Sequence, residues 1–322
     1  MDYATEFANI LWRDFEPTRG AFDLELLDTL LSKAKGGTDQ RRKLAFRFQV
    51  MNEGETKELP TWHSDEDVAK GFRVSGDRWS LDWDHKAIRA AHLAALTALG
   101  NWASAHEADI AWVEIGSYGF YGEWHHAEHE EALGFEGRVP GERHTKWRTT
   151  LASIVNEYLC HFKTLPLSIA FDSLKAFDDT ELNKTSLERD PVFLALEAGH
   201  VGLFFDCLGK DNTDWLNNMP ADISSRLSGP FGGEFCDSEK GAKRAIEDEK
   251  RWPTTLCIVR NNRWNYVREA GASLITKQGY GALSDYGKHS VDELLSTLES
   301  AAPIEGPKDY GRCPDVPPSA AK

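Results

Sequence analysis

Residues 110–126 read IAWVEIGSYGFYGEWHH. The first six form a near-continuous apolar run, the mark of a strand buried on both faces of a parallel sheet. The run then breaks into three glycines, several rings, Glu123 and two histidines. Gly116, Gly119 and Gly122 allow the backbone to turn tightly and to approach a ligand. A buried strand that runs straight into a polar, ring-lined turn describes a barrel stave reaching its pocket.

Outward from this stretch the same unit recurs. Apolar runs at 7–12, 43–50, 166–172, 201–206, 229–235 and 254–259 predict six further strands. Between them lie helical patterns. Leu26, Leu27, Leu30, Leu31 and Ala34 make an apolar stripe, with Asp23 placed to cap its start and Gly36 its end. Residues 84–107 are strongly helical by composition and period. Residues 143–162 carry Trp147, Leu151, Ile154, Tyr158 and Phe162 along one face. Shorter helices are expected at 191–198, 238–250, 263–277 and 290–300, and a polar loop at 52–83. Strand–helix alternation of this kind indicates a parallel sheet covered by helices. The expected fold is a (β/α)8 barrel over 1–305, followed by a Pro-rich tail at 306–322. The rival is a doubly wound open sheet, weakened by the lack of GxGxxG after the first strand.

Composition narrows the function. The 322-residue chain is 41% hydrophobic and 28% charged, and its net charge is −15. That acidity argues against nucleic-acid and anionic-membrane partners. Five dispersed cysteines without CxxC suit free thiols. No run is apolar enough to span a membrane. Asp2 and Glu6 replace the basic start of a signal peptide. The chain as written is therefore expected in the cytoplasm, or outside the cell if a truncated N-terminus has lost a leader. Oligomeric state is not readable. Aromatics reach 11%, with eleven tryptophans, and rings with apolar faces and polar edges suit sugar stacking.

Active sites of such barrels lie at the C-terminal ends of the strands. Reading those ends gives Trp12, Arg47, Asn52, Glu123, Trp124, His125, Asp172, Asp206, Glu234 and Asn261, with Trp62, Tyr118 and Trp264 as further rings. Carboxylates, amides and aromatics in one ring resemble a carbohydrate site.

The motif around the first strand strengthens this. LWRDFEPTRGAFDLELLD (11–28) resembles the W-x-x-x-E-P-x-x-G-x-(F/Y)-D signature of the β-galactosidase-like, clan A glycoside hydrolases. KLAFRFQV, ELPTWH and VEIGSYGFYGEWH continue the likeness in order, so that it runs from about residue 7 to 130. GGEF (232–235) extends it more weakly. The resemblance implies that 7–12 is the second barrel strand, that Glu123 after the fourth is the general acid/base, and that Glu234 at the end of the seventh is the nucleophile. Either the first strand is lost by truncation, or 282–287 serves as the eighth. One position departs from the family: Gly122 stands where an Asn normally precedes the acid/base and binds a sugar hydroxyl. Tyr118, His125 or Asn52 would have to replace that contact.

The expected function is thus a retaining glycoside hydrolase acting on a carbohydrate with no cofactor and no metal. Glu123 and Glu234 are its catalytic pair. Trp12, Arg47, Asn52, Trp62, Tyr118, Trp124, His125, Asp172, Asp206, Asn261 and Trp264 are its substrate-binding residues. Two alternatives stand beside it. One is a carbohydrate-binding barrel without turnover. The other is a metal-dependent hydrolase built on His125, His126 and His129, although no HExxH accompanies them.

Overall fold

In the computed structural model, residues 5–36, 43–124, 142–174, 189–208, 226–227, 229–235, 266–269 and 274–275 are described. The apolar runs form a sheet. Its strands are β1 (Thr5–Leu11), β2 (Lys43–Gln49), β5 (Ile110–Ile115), β6 (Leu167–Ala170), β7 (Gly202–Leu208), β8 (Gly232–Phe235), β9 (Tyr266–Glu269) and β10 (Leu274–Ile275), hydrogen-bonded in that order. Every neighbouring pair is parallel except β9 with β10. The sheet curls, and Cα atoms of β10 come within 8 Å of β1.

Helices cover the outer face. They are α2 (Leu24–Lys35), α3 (Lys86–Ala105), α4 (Glu142–His161) and α5 (Pro191–Ala198), preceded by the single turn α1 (Trp12–Phe15). Asp23 caps α2 by accepting from Leu26 N at 2.9 Å, and Gly36 ends it, as its sequence foretells. Phe46 of β2 meets Trp102 of α3 and Phe162 after α4 edge-on. Trp102 Nε1 donates to Asp28 Oδ1 of α2 at 2.8 Å. Helices α2 and α3 therefore share one side of the sheet, which disfavours the doubly wound rival. At the far end Arg148 of α4, buried, clamps Asp190 through two hydrogen bonds of 2.7 and 2.6 Å and donates to Ser173 O at 2.9 Å. Asp190 also caps α5, so one ion pair joins two helices and the turn after β6.

Three expectations need correcting. The segment 263–277, expected helical, instead contains β9 and β10; Tyr266, Val267 and Ile275 favour strand, and Gly271 weakens a helix. The loop 52–83 contains a hairpin, β3 (Phe72–Ser75) and β4 (Arg78–Leu81), closed by Gly76-Asp77 with Gly76 at φ +62°. Alternating Phe72, Val74, Trp79 and Leu81 around a two-residue turn is the signal for it. Trp12 opens α1 and does not end β1. The strands expected at 254–259 and 282–287, and the helices at 238–250 and 290–300, lie outside the described residues.

Between the sheet and the helices sits a buried polar chain. His92 Nδ1 pairs with Glu157 Oε2 at 3.0 Å, and His92 Nε2 with Ser117 Oγ at 2.7 Å. Ser117 Oγ meets Tyr158 OH at 2.6 Å. Arg89 also bonds Glu157. Burial pushes the His92 imidazole below its ordinary range and the Tyr158 phenol well above its own. A histidine whose folded pKa is depressed takes its proton first in the unfolded chain. The resulting stability is present above about pH 6.5, the unfolded value, and is lost as pH falls through the folded value. Melting temperature should therefore fall between pH 7 and 5 with a steeper slope in the wild type than in His92→Gln, as differential scanning calorimetry across that range would show.

Candidate functional site

The strand pairing brings Arg47 opposite Glu114. Both side chains are buried on the inner face of the curled sheet. Arg47 Nε and Nη2 reach Glu114 Oε2 at 3.0 and 2.9 Å. Its Nη1 donates to Tyr121 O at 2.8 Å and lies 3.3 Å from Glu123 Oε1. The guanidinium also rests 4.7 Å from the ring centre of Phe204 in β7 and 5.9 Å from that of Phe7 in β1. Four strands thus meet around one cation. The fork geometry of arginine suits this, since it can hold a carboxylate by two donors and a second group by the third.

Glu123 is placed by the turn between Gly116 and Trp124, past the C-terminal end of β5. A Cβ on Gly116 would stand 2.3 Å from Arg47 Cγ, and one on Gly122 would stand 2.5 Å from Gly116 O, so the turn closes only around glycine. Gly122 also has φ +70°. Two bulky residues share this left-handed region, Tyr121 at φ +56° and Trp124 at φ +61°. Such conformations cost energy and gather at functional sites. Trp124 is held by its indole, which donates to Ile115 O at 2.6 Å, and by its own N–H on Tyr118 O at 3.0 Å. Tyr121 N donates to Asn52 O at 2.9 Å, which ties the turn after β5 to the loop after β2.

That neighbouring loop is itself organised by a carboxylate. Glu58, buried, accepts from the backbone N–H groups of Asn52, Glu53 and Gly54 at 3.2, 3.2 and 3.0 Å. The β3–β4 hairpin pins the loop through Trp79 N on Gly54 O at 2.8 Å. Glu53, Glu55 and Glu58 offer oxygens within 4.8 Å of one another. Glu58 is committed to the backbone and Glu55 to Lys57, so this cluster is explained without a cation.

The expected residues divide. Arg47, Asn52, Tyr118, Glu123 and Trp124 are brought together at the C-terminal ends of β2 and β5. Trp12 and Trp62 are in the core: Trp12 is 0% exposed and donates to Glu16 Oε2 at 2.6 Å, while Trp62 donates to Glu16 O at 3.0 Å. Glu16 also accepts from Gly20 N at 2.6 Å. The Trp, Glu and Gly of the family-like signature therefore bind one another, and burial raises the Glu16 carboxyl above its usual range. The two tryptophan rings are spent on packing, 5.3 Å apart, and present no face to a sugar. Asp172 lies in the turn after β6, and Asp206 lies within β7, which runs two residues beyond the expected end. Glu234 lies in β8 opposite Arg268. His125, Asn261 and Trp264 fall outside the described residues.

Glu114 and Tyr121 escaped the sequence reading. For Glu114 a signal existed: it and Arg47 are lone opposite charges inside two apolar strands, where an unpaired charge is not tolerated. For Tyr121 there was none, because composition does not rank the rings within one turn.

No family model matches the chain, and no curated protein matches it in sequence. Solved structures do. The catalytic domain of β-amylase from Paenibacillus polymyxa superposes with a TM-score of 0.61 at 11% identity, over 92% of this chain and 91% of that one. The chain shares the fold of that domain. The pneumococcal virulence factor StrH (TM-score 0.40, 12% identity, 90% of this chain and 65% of that one) is a remoter match, too distant to carry an argument. The same holds for the glycoside hydrolase domain of PelA from Pseudomonas aeruginosa (TM-score 0.42, 13% identity, 83% and 94%). At such identities the likeness concerns the path of the backbone.

The buried cation is testable. Arg47→Met removes the shared counter-ion of Glu114 and Glu123 and should cost about 3–5 kcal/mol of unfolding free energy. Arg47→Lys should recover little of it, because an ammonium lacks the planar fork. Urea denaturation of the three proteins measures both effects.

Proposed function

We propose that the chain is a glycoside hydrolase whose curled sheet closes as a (β/α)8 barrel, with Glu123 as general acid/base and Glu234 as nucleophile. The observation that supports it most is the placement of Glu123. It stands at the C-terminal ends of β2 and β5, where active sites of this architecture gather, held by a buried arginine and a turn of strained residues. The fold likeness to a β-amylase catalytic domain agrees with it.

Strand register favours Glu234 as the partner. Arg47 pairs with Glu114, Glu114 with Ser168, and Ser168 with Gly202; Phe204, two residues on, pairs with Gly232. Counting two more residues along β8 reaches Glu234. Position 234 thus belongs to the same alternating set as Arg47 and Glu114. A retaining mechanism needs the two carboxyl groups about 5–5.5 Å apart, so that one attacks the anomeric carbon while the other protonates the leaving oxygen. Arg47 hydrogen-bonds Glu114 through Nε, sets Nη2 2.9 Å from the same oxygen, and touches Glu123 by the longest of its polar contacts, 3.3 Å. Water would complete the reaction, with no cofactor or metal in the scheme.

The same contact supports a second reading, a carbohydrate-binding barrel without turnover. A carboxylate tied to arginine can be structural, and Gly122 replaces the amide expected before Glu123.

A screen of aryl glycosides and polysaccharides separates the two. Turnover by the wild type that falls about 10²–10⁴-fold in Glu123→Gln is the expected result. Glycan binding equal in both proteins, with no turnover in either, selects the second reading. Full turnover by Glu234→Ala removes the nucleophile assignment alone.

A further inference from the structure

Four rings occupy the turn after β5, and they do not share a fate. Tyr118, Phe120 and Trp124 are 2–3% exposed, whereas Tyr121 is 40% exposed. Tyr121 is also one of two bulky residues of the turn in left-handed backbone, and the more exposed of the two. Left-handed backbone is unfavourable for a bulky side chain and persists only where its surroundings impose it. Those surroundings are visible. The peptide N–H of Tyr121 is fixed on Asn52 O, and its carbonyl accepts from Arg47. Burial, together with the nearby carboxylates of Glu53, Glu123 and Glu58, holds its phenol above its ordinary range. The backbone that carries the ring is thus fixed by two anchors before any ligand arrives, two residues from Glu123.

We propose that Tyr121 is the platform on which a pyranose ring of the substrate stacks beside Glu123, with Glu53 as the polar group at its rim. This rests on the glycoside hydrolase reading. An aromatic face presented to solvent next to carboxylates matches a sugar, which has an apolar C–H face ringed by hydroxyls. Orientation set in advance lowers the ordering that binding requires. The buried rings of Tyr118 and Trp124 serve to shape the turn, and Tyr121 is what the turn displays. Its role is in affinity, since the ring holds the substrate equally in the ground and transition states.

The test uses the full chain and the glycan that the wild type cleaves fastest. Tyr121→Ala should raise KM roughly tenfold, the size of a lost ring contact, with kcat within about threefold. Tyr121→Trp should keep KM near the wild-type value. Tyr121→Gly should lose affinity like Tyr121→Ala, yet melt higher than Tyr121→Ala, because glycine relieves the left-handed strain. An unchanged KM in Tyr121→Ala, with wild-type turnover intact, overturns the platform and leaves the glycosidase reading standing. A wild-type KM in Tyr121→Gly also overturns it, since the ring is then dispensable for affinity. A wild type that neither binds nor cleaves any glycan overturns the glycosidase reading and the platform with it.

Discussion

A guanidinium in the interior of a sheet is tolerated only if its charge and its donors are answered. The charge of Arg47 is answered by Glu114 across one ladder and by Glu123, its Nη1 donates to the carbonyl of Tyr121 in the turn above, and the rings of Phe204 and Phe7 lie against it. Much of the local structure follows. Its stem passes so close to Gly116 that no side chain fits there, and Gly116 O in turn leaves none at Gly122. The turn must therefore bend where it does, and Glu123 must come back over β2. The registers of β1, β2, β5 and β7 are coupled as well, because each contributes a group to the same cation. A slip of one residue in any of them would turn that group to the helix side.

The turn after β5 is gripped from two directions. Arg47 and Asn52 hold Tyr121 from the inner side of the sheet. From the helix side, His92 holds Ser117, backed by Glu157 and Tyr158. Helices α3 and α4 thus reach the base of the same turn that the strands reach at its tip. A segment with two bulky residues in left-handed backbone needs this double restraint, since alone it would relax. Side chains so restrained are suited to chemistry, because little reorganisation is left for the ligand to impose.

The WxxxEPxxG stretch behaves differently. Trp12, Glu16 and Gly20 close on one another, and Trp62 seals the arrangement through Glu16 O. Its function is to carry the chain from β1 into α2 and to support the loop after β2. A signature of this kind can accompany a site without touching it. The same distinction explains how an 11% identical β-amylase domain shares the fold: topology depends on the alternation of buried strands and covering helices, which many sequences satisfy.

The strands β1, β2, β5, β6, β7 and β8, the helices α2 to α5, the caps at Asp23 and Gly36, and the neighbourhood of β1 with β2 and of β2 with β5 were legible in the sequence. Period and composition report burial, and burial of short apolar runs between amphipathic helices leaves few topologies open. Glu123 was legible too, as a carboxylate in a glycine-rich turn past a strand. The hairpin β3–β4 and the strand character of 266–269 were missed, because short segments carry weak periodic signals against a polar or helix-like background. What only the tertiary structure decided is the fate of each polar and aromatic side chain near the site. Trp12 and Trp62 went into the core, Tyr121 stayed out, and Glu114 became the partner of Arg47. Those outcomes depend on ladder register and on which loops meet over the strand ends. Both are contacts between residues far apart in the sequence, and no local pattern encodes them.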